Sequence, residues 1–247
     1  MKNEHVGKIF KTLNYGDLEI INYYGNRKVV VKFLDTGYET TVQLVDIRKG
    51  TVKDRLVPSV HGVGVLGYEV SRIKGEYSKE YILWQAMLTR CYDSKFHAKR
   101  PTYSGCTASE NFKYYSYFKE WCKNRVGFRE KGWVLDKDIL VKGNKVYSED
   151  TCCFVPQSLN LLLTKSDSSR GRLPIGVSQK SNGSLIAVVR QENKMIRLGT
   201  FKNKEDAFLK YKLAKESIIR EEANRFKGLI DDKVYKALIN YEVEIYD

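Results

Sequence analysis

Histidine is almost missing from this sequence. Its 247 residues contain three, His5, His61 and His97. Beyond residue 97 no imidazole is on hand as a neutral-pH base or metal ligand. Long apolar runs are missing too. No stretch of 18 apolar residues occurs and no terminus is basic and amphipathic, so no membrane partner is expected. Met1–Lys8 is polar, which argues against a secretory leader and for a cytoplasmic protein. The five cysteines, Cys91, Cys106, Cys122, Cys152 and Cys153, form no CxxC pair and stand at no Cys–His ligand spacing. An odd, unpatterned set speaks against a disulfide framework and for reduced thiols. His61–Gly67 (HGVGVLG) lacks the spacing and the Lys-Ser/Thr ending of a phosphate loop, and no other small-molecule cofactor motif is evident.

Positive charge is in excess. Lys and Arg number 43 against 30 Asp and Glu, giving a net charge of +13 and a pI near 9.4. Such a balance implies a polyanionic partner, and nucleic acid is the first candidate.

The patterning predicts an α+β chain of several modules. Residues 1–56 read as a small β barrel, from the segments VGKIF, DLEIINYY, RKVVVKFL and ETTVQLVDI with glycine turns between them. Tyr23, Tyr24, Phe33 and Tyr38 are either core and rim packing or a binding platform. Residues 57–77, rich in glycine, read as a linker. Ser78 caps a predicted helix with Tyr81, Trp84, Leu88 and Cys91 on helical spacing, and a second helix is predicted over 111–124. Their aromatics read as core, with Arg90 and Arg100 as candidate phosphate contacts. Residues 165–173 are small, polar and basic, a second linker.

Trp133–Leu163 carries the most chemistry: WVLDKDILVKGNKVYSEDTCCFVPQSLNLLL. A strand ends in Asp136–Lys137–Asp138, a Gly143–Asn144 turn follows, a second strand spans Cys152–Val155, and a helix begins near Gln157. Acids at the front and Asn160 at the back form a layout that can hold one hard cation, such as Mg²⁺, against a phosphate. An ordinary surface hairpin is the plainer reading. The residues Leu135, Asp136, Lys137, Asp138, Gly143, Asn144, Tyr147, Cys152, Phe154, Val155, Pro156 and Asn160 resemble the HNH (ββα-metal) core of phage and intron homing endonucleases. Trp84, Arg90, Tyr92, Tyr103, Phe112, Phe118 and Trp121 resemble the lead-in of a phage branch of that family, which extends the module to 78–164. The resemblance implies a divalent-cation site of Asp136 and Asn160, with Asp138 as a substitute ligand, and a catalytic set of Asp136, Lys137 and Asn160. Two positions depart from the family: Lys137 stands where the base histidine does, and Thr151 where the orienting Asn does. A lysine starts near pKa 10.4 and the flanking acids favour its charged form. It suits stabilisation of a developing phosphorane better than proton abstraction.

Residues 174–247 predict three strands, 175–180, 185–191 and 195–201, and a helix from about Lys204. Alternation places Ala187, Val189 and Leu198 toward the helix and Ile186, Val188, Arg190 and Arg197 outward. Gly176, Val177, Gly183, Ala187, Leu198, Gly199, Thr200, Phe201, Glu205, Ala207, Tyr211 and Ala214 resemble the frame of the ethylene-response-factor (APETALA-type) DNA-binding domain. Leu185 stands at that family's tryptophan. The resemblance implies that the outward sheet face enters the major groove, with Ser178, Lys180, Arg190, Lys194 and Arg197 at DNA. Phe226, Leu229, Ile230, Tyr235, Leu238 and Tyr241 predict a terminal helix against this module, and the acidic end EVEIYD is expected to stay off DNA.

The combined expectation is a protein that binds double-stranded DNA and resembles a phage homing endonuclease, with metal-dependent phosphodiester cleavage where Lys137 suffices. A DNA-binding regulator or nuclease competitor on a disarmed scaffold is the alternative. If phage-encoded, its place is the host cytoplasm.

Overall fold

The computed structural model describes residues 4–164, 173–192, 194–245 and 247. The linker expected over 165–173 therefore lies outside the described residues except for Leu173. The chain mixes helices with several small sheets and divides into two compact units, Met1–Cys122 and Lys123–Asp247.

The first unit opens with β1 (Ile9–Lys11), β2 (Asp17–Tyr23), β3 (Val29–Phe33) and β4 (Glu39–Val42), an antiparallel sheet in that order. Alternation turns Leu18, Ile20, Val29, Val31 and Phe33 to one buried face. The expected barrel does not form: β1 and β4 remain the two edges of an open sheet. The reason lies just after β4. The period-two pattern stops at Val42, and α1 (Leu44–Arg48) begins instead of a continuing strand. Leu44 and Ile47 are buried on one side of this helix while Val45 is exposed, and with Val52 they complete the core over the sheet. A helix thus covers the face that closing strands would have filled. Phe33 and Tyr38 belong to this core, whereas Tyr24 is exposed, so the four aromatics form no shared platform.

The stretch expected as a linker, 57–77, is packed chain. Val60 bridges Gly64, Val65 bridges Tyr114, and His61 Nε2 lies 2.9 Å from Thr89 Oγ1. Gly64 lies so close to Trp84 and Leu88 that a Cβ there would collide with both side chains. A two-strand ribbon, β5 (Arg72–Ile73) and β6 (Glu76–Tyr77), follows. Then α2 (Lys79–Tyr92) starts at Ser78, whose Oγ accepts the Tyr81 amide at 3.3 Å. It leads through α3 (Ser94–Lys99) and β7 (Thr107–Ala108) to α4 (Tyr115–Lys123). The helix expected over 111–124 is broken by extended Tyr114, where Val65 bridges; a 3₁₀ turn at Asn111–Lys113 precedes it. Trp84, Phe112, Tyr115 and Phe118 are fully buried, as core aromatics, and the Trp84 indole donates to the Phe112 carbonyl at 2.8 Å.

The second unit carries β8 (Trp133–Asp136), β9 (Val146–Tyr147) and β10 (Cys153–Pro156), with β8 and β10 antiparallel and Asp136 opposite Cys153. The chain passes from Pro156 directly into α5 (Gln157–Leu162). A three-stranded antiparallel sheet follows, β11 (Val177–Gln179), β12 (Leu185–Gln191) and β13 (Lys194–Phe201), then α6 (Lys204–Arg225) and α7 (Asp232–Ile239). The 22-residue α6 serves two cores. Ala207, Tyr211 and Ile218 pack under the sheet with Val177, Leu185, Ala187 and Val189. Ile219 and Ala223 pack with Ile139, Cys153, Val155 and Leu159 of the ββα unit. The terminal helix was expected on the sheet module, but Val234 and Leu238 of α7 join this second core instead.

Candidate cation site and nucleic-acid interface

Asp136 ends β8, and its side chain turns the chain out of the strand. Oδ1 accepts the amides of Asp138 and Ile139, both at 2.8 Å. Those bonds favour the anion, but burial, and next the Asp138 carboxyl, push the Asp136 pKa up to about 6. Asp138 in turn accepts from the Lys137 ammonium, 3.1 Å from its Oδ2.

Asn160 lies on α5, which packs against both β8 and β10, so it shares one small unit with Asp136. It is half-buried, and among the described residues its side chain has no hydrogen-bond partner. Among the described residues no group of three or more His, Cys, Asp and Glu gathers as a metal site. The oxygen donors this unit offers are the Asp136 and Asp138 carboxylates and, on α5, the Asn160 amide. That set fits a Mg²⁺-type ion that keeps several waters, and not a closed zinc cage. The neighbouring thiols are poor ligands, since burial pushes Cys152 up to about 12 and raises Cys153 as well.

Lys137 is not free. It is 8% exposed, and its Nζ donates to the Asn144 carbonyl at 2.6 Å and to Asp138 Oδ2 at 3.1 Å. Asn144 completes the tie, with Nδ2 donating to the carbonyls of Lys137 (2.7 Å) and Val146 (2.6 Å). The pair closes the loop 137–144 into a fixed turn. Thr151 stays within its own turn, donating to the Val146 carbonyl at 2.7 Å and accepting from the Ser148 amide. Sequence reasoning treats Asn144 as a turn residue and misses its bond to the Lys137 carbonyl. The signal is an Asn seven residues after a lysine flanked by acids.

The second surface is the outward face of the C-terminal sheet. In an antiparallel pair, residues directly opposite share a face. Ser178 is opposite Ile186, which is opposite Thr200; Val188 is opposite Arg197, and Arg190 opposite Met195. A bulge after Ala187 shifts the register by one residue and sets Arg197, not Leu198, across from Val188. Ser178, Arg190 and Arg197 are therefore exposed on one face, with Lys180 at its corner. Arg197 Nη2 donates to Thr200 Oγ1, which steadies the guanidinium over the sheet. Lys194 is exposed but opposes Gln191, in the register of Val189, so it sits at the hairpin end and not in this row. In the first unit, Arg90 lies over the Tyr103 ring, 5.7 Å from its centroid, and Arg100 is exposed.

No family model, curated protein or solved structure matches the chain.

Proposed function

We propose that this chain binds double-stranded DNA through the outward face of its C-terminal sheet, with an HNH-like ββα unit that holds a divalent cation beside the DNA backbone. The observation that carries the reading is the exposed row of Ser178, Arg190 and Arg197 on a two-sided sheet, in a chain of net charge +13. A two-stranded ribbon or small sheet fits the major groove, where a guanidinium pairs bidentately with guanine and lysines neutralise phosphates. Asp136 and Asn160 would hold the cation, with Asp138 beside them, and the ion would supply Lewis-acid polarisation of a phosphate oxygen.

One observation favours a second reading, in which the ββα unit grips DNA without cutting it. Lys137, at the position of the family's base, is committed to Asp138 and the Asn144 carbonyl. The second unit contains no histidine to replace it.

Fluorescence anisotropy with a duplex DNA library tests the binding. Arg190→Ala and Arg197→Ala should each weaken it by about 1–3 kcal/mol where the side chain reads a base. Equal binding by the double variant would remove the sheet from the interface. Supercoiled plasmid with Mg²⁺, with chelator and with Asp136→Ala separates the two readings. Nicking that needs metal and Asp136 supports a nuclease, and binding without nicking supports the gripping form.

A further inference from the structure

After α7 the described residues, 240–245 and 247, form no helix or strand, yet they are tied down. Val243 is buried; its amide donates to Glu216 Oε1 at 2.9 Å and its carbonyl accepts from Lys212 Nζ at 2.9 Å. Two acids of this segment converge on one cation. Lys142 Nζ lies 2.7 Å from Asp247 Oδ2 and 3.4 Å from Glu244 Oε2, and donates to the Glu242 carbonyl at 2.9 Å. It also sits 5.3 Å from the centroid of the Tyr241 ring. Asp247 is 5% exposed, so this is a seated contact and not a passing surface pair.

Lys142 belongs to the loop that begins with Asp138 and is closed by Lys137 and Asn144. Burial first, and then the charges of Asp247 and Asp138, raise the Tyr241 phenol pKa. An ammonium ringed by two carboxylates and a carbonyl, next to a candidate cation site, has the oxygen surroundings that a backbone phosphate would provide. DNA brought to that loop would meet Glu244 and Asp247 as like charges, so the two ligands of Lys142 exclude each other.

Resting on the DNA-binding reading above, we infer that Lys142 is a phosphodiester-binding site held in the free protein by an internal phosphate mimic, the carboxylates of Glu244 and Asp247 with the Glu242 carbonyl. On binding, a DNA phosphate replaces the Glu244 and Asp247 carboxylates at the ammonium, while Val243 stays anchored to Glu216 and Lys212. The segment therefore lowers DNA affinity.

The test measures duplex affinity against salt for the wild type, Glu244→Gln, Glu244→Gln/Asp247→Asn, and the double variant with Lys142→Ala added. Thermal unfolding is followed alongside. Freeing Lys142 for one phosphate should raise affinity about eightfold at roughly 0.1 M salt and steepen the log–log salt slope by about 0.9. Adding Lys142→Ala should return both to wild-type values. Glu244 is largely exposed, so its single variant keeps the test open if Asp247→Asn does not fold. Unchanged or weaker binding by the folded variants, while the wild type binds, overturns the inference. So does a gain that survives Lys142→Ala, because it would be a general charge effect. Absence of duplex binding by all four proteins at low salt would instead overturn the DNA-binding reading.

Discussion

Replacing Glu216 with alanine should destabilise the protein by about 2–4 kcal/mol. Glu216 is 6% exposed on α6, and its carboxylate serves three donors: the Val243 amide at 2.9 Å, Lys212 Nζ at 3.0 Å and Arg220 Nη2 at 3.4 Å. The Arg220 pair is long and half-exposed, so it adds little. The buried Val243 amide dominates, because stranding it costs about 1–3 kcal/mol and a bond to a charged acceptor is worth about 1.5–3 kcal/mol. Glu216→Gln keeps an acceptor for that amide and should lose only about 1–2 kcal/mol. Acid supplies an independent check. Burial works to raise the Glu216 pKa, but the Val243 amide, Lys212 and Arg220 outweigh it and hold the group below the ordinary glutamate value. A depressed carboxyl stabilises the fold fully above its unfolded pKa of about 4.3, and that contribution is lost as pH falls through the lower folded value. In urea unfolding, the gap between wild type and Glu216→Gln should stay constant from neutrality to about pH 5 and shrink below about pH 4. A Glu216→Ala protein within about 0.5 kcal/mol of wild type would refute the reasoning. So would a gap that widens on acidification.

Two further substitutions test the local architecture. Lys137→Met keeps the buried stem but leaves the Asn144 carbonyl and Asp138 without their cation; it should cost about 1–3 kcal/mol and speed amide exchange over 138–146, whereas a free surface lysine would leave both unchanged. Gly176→Ala should cost about 3 kcal/mol or more by thermal unfolding, because the position has φ +75° and a Cβ would lie 2.0 Å from the Tyr211 ring.

Much of the second unit is legible in the amino-acid sequence. The alternation of Leu185, Ala187 and Val189 against Ile186, Val188 and Arg190 marks the two faces of β12, because side chains alternate with a period of two on any strand. In the first unit, Ser78 and the spacing of Trp84, Leu88 and Cys91 likewise announce α2. The rest of that unit is less legible. Val42, Leu44 and Ile47 suit either a strand or a strand-to-helix change, and the short apolar run does not distinguish them. Residues 57–77 look like a linker for their glycines, although one of these, Gly64, is small so that Trp84 and Leu88 can close on it.

Composition and local pattern alone establish the charge excess, the scarcity of histidine, the placement of Asp136 at a strand end and Asn160 on a helix, and which residues of β12 face outward. All of these follow from composition or from the local period of the backbone. Tertiary structure decided the rest, because each remaining feature depends on residues brought together by folding. The seating of Lys137 needs Asn144, the bulge that places Arg197 needs its register with Val188, and the burial of Glu216 needs Val243. Lys142 is one of many lysines in the sequence. Only folding brings Glu244 and Asp247 to it, and a charge acquires its role from the groups that surround it.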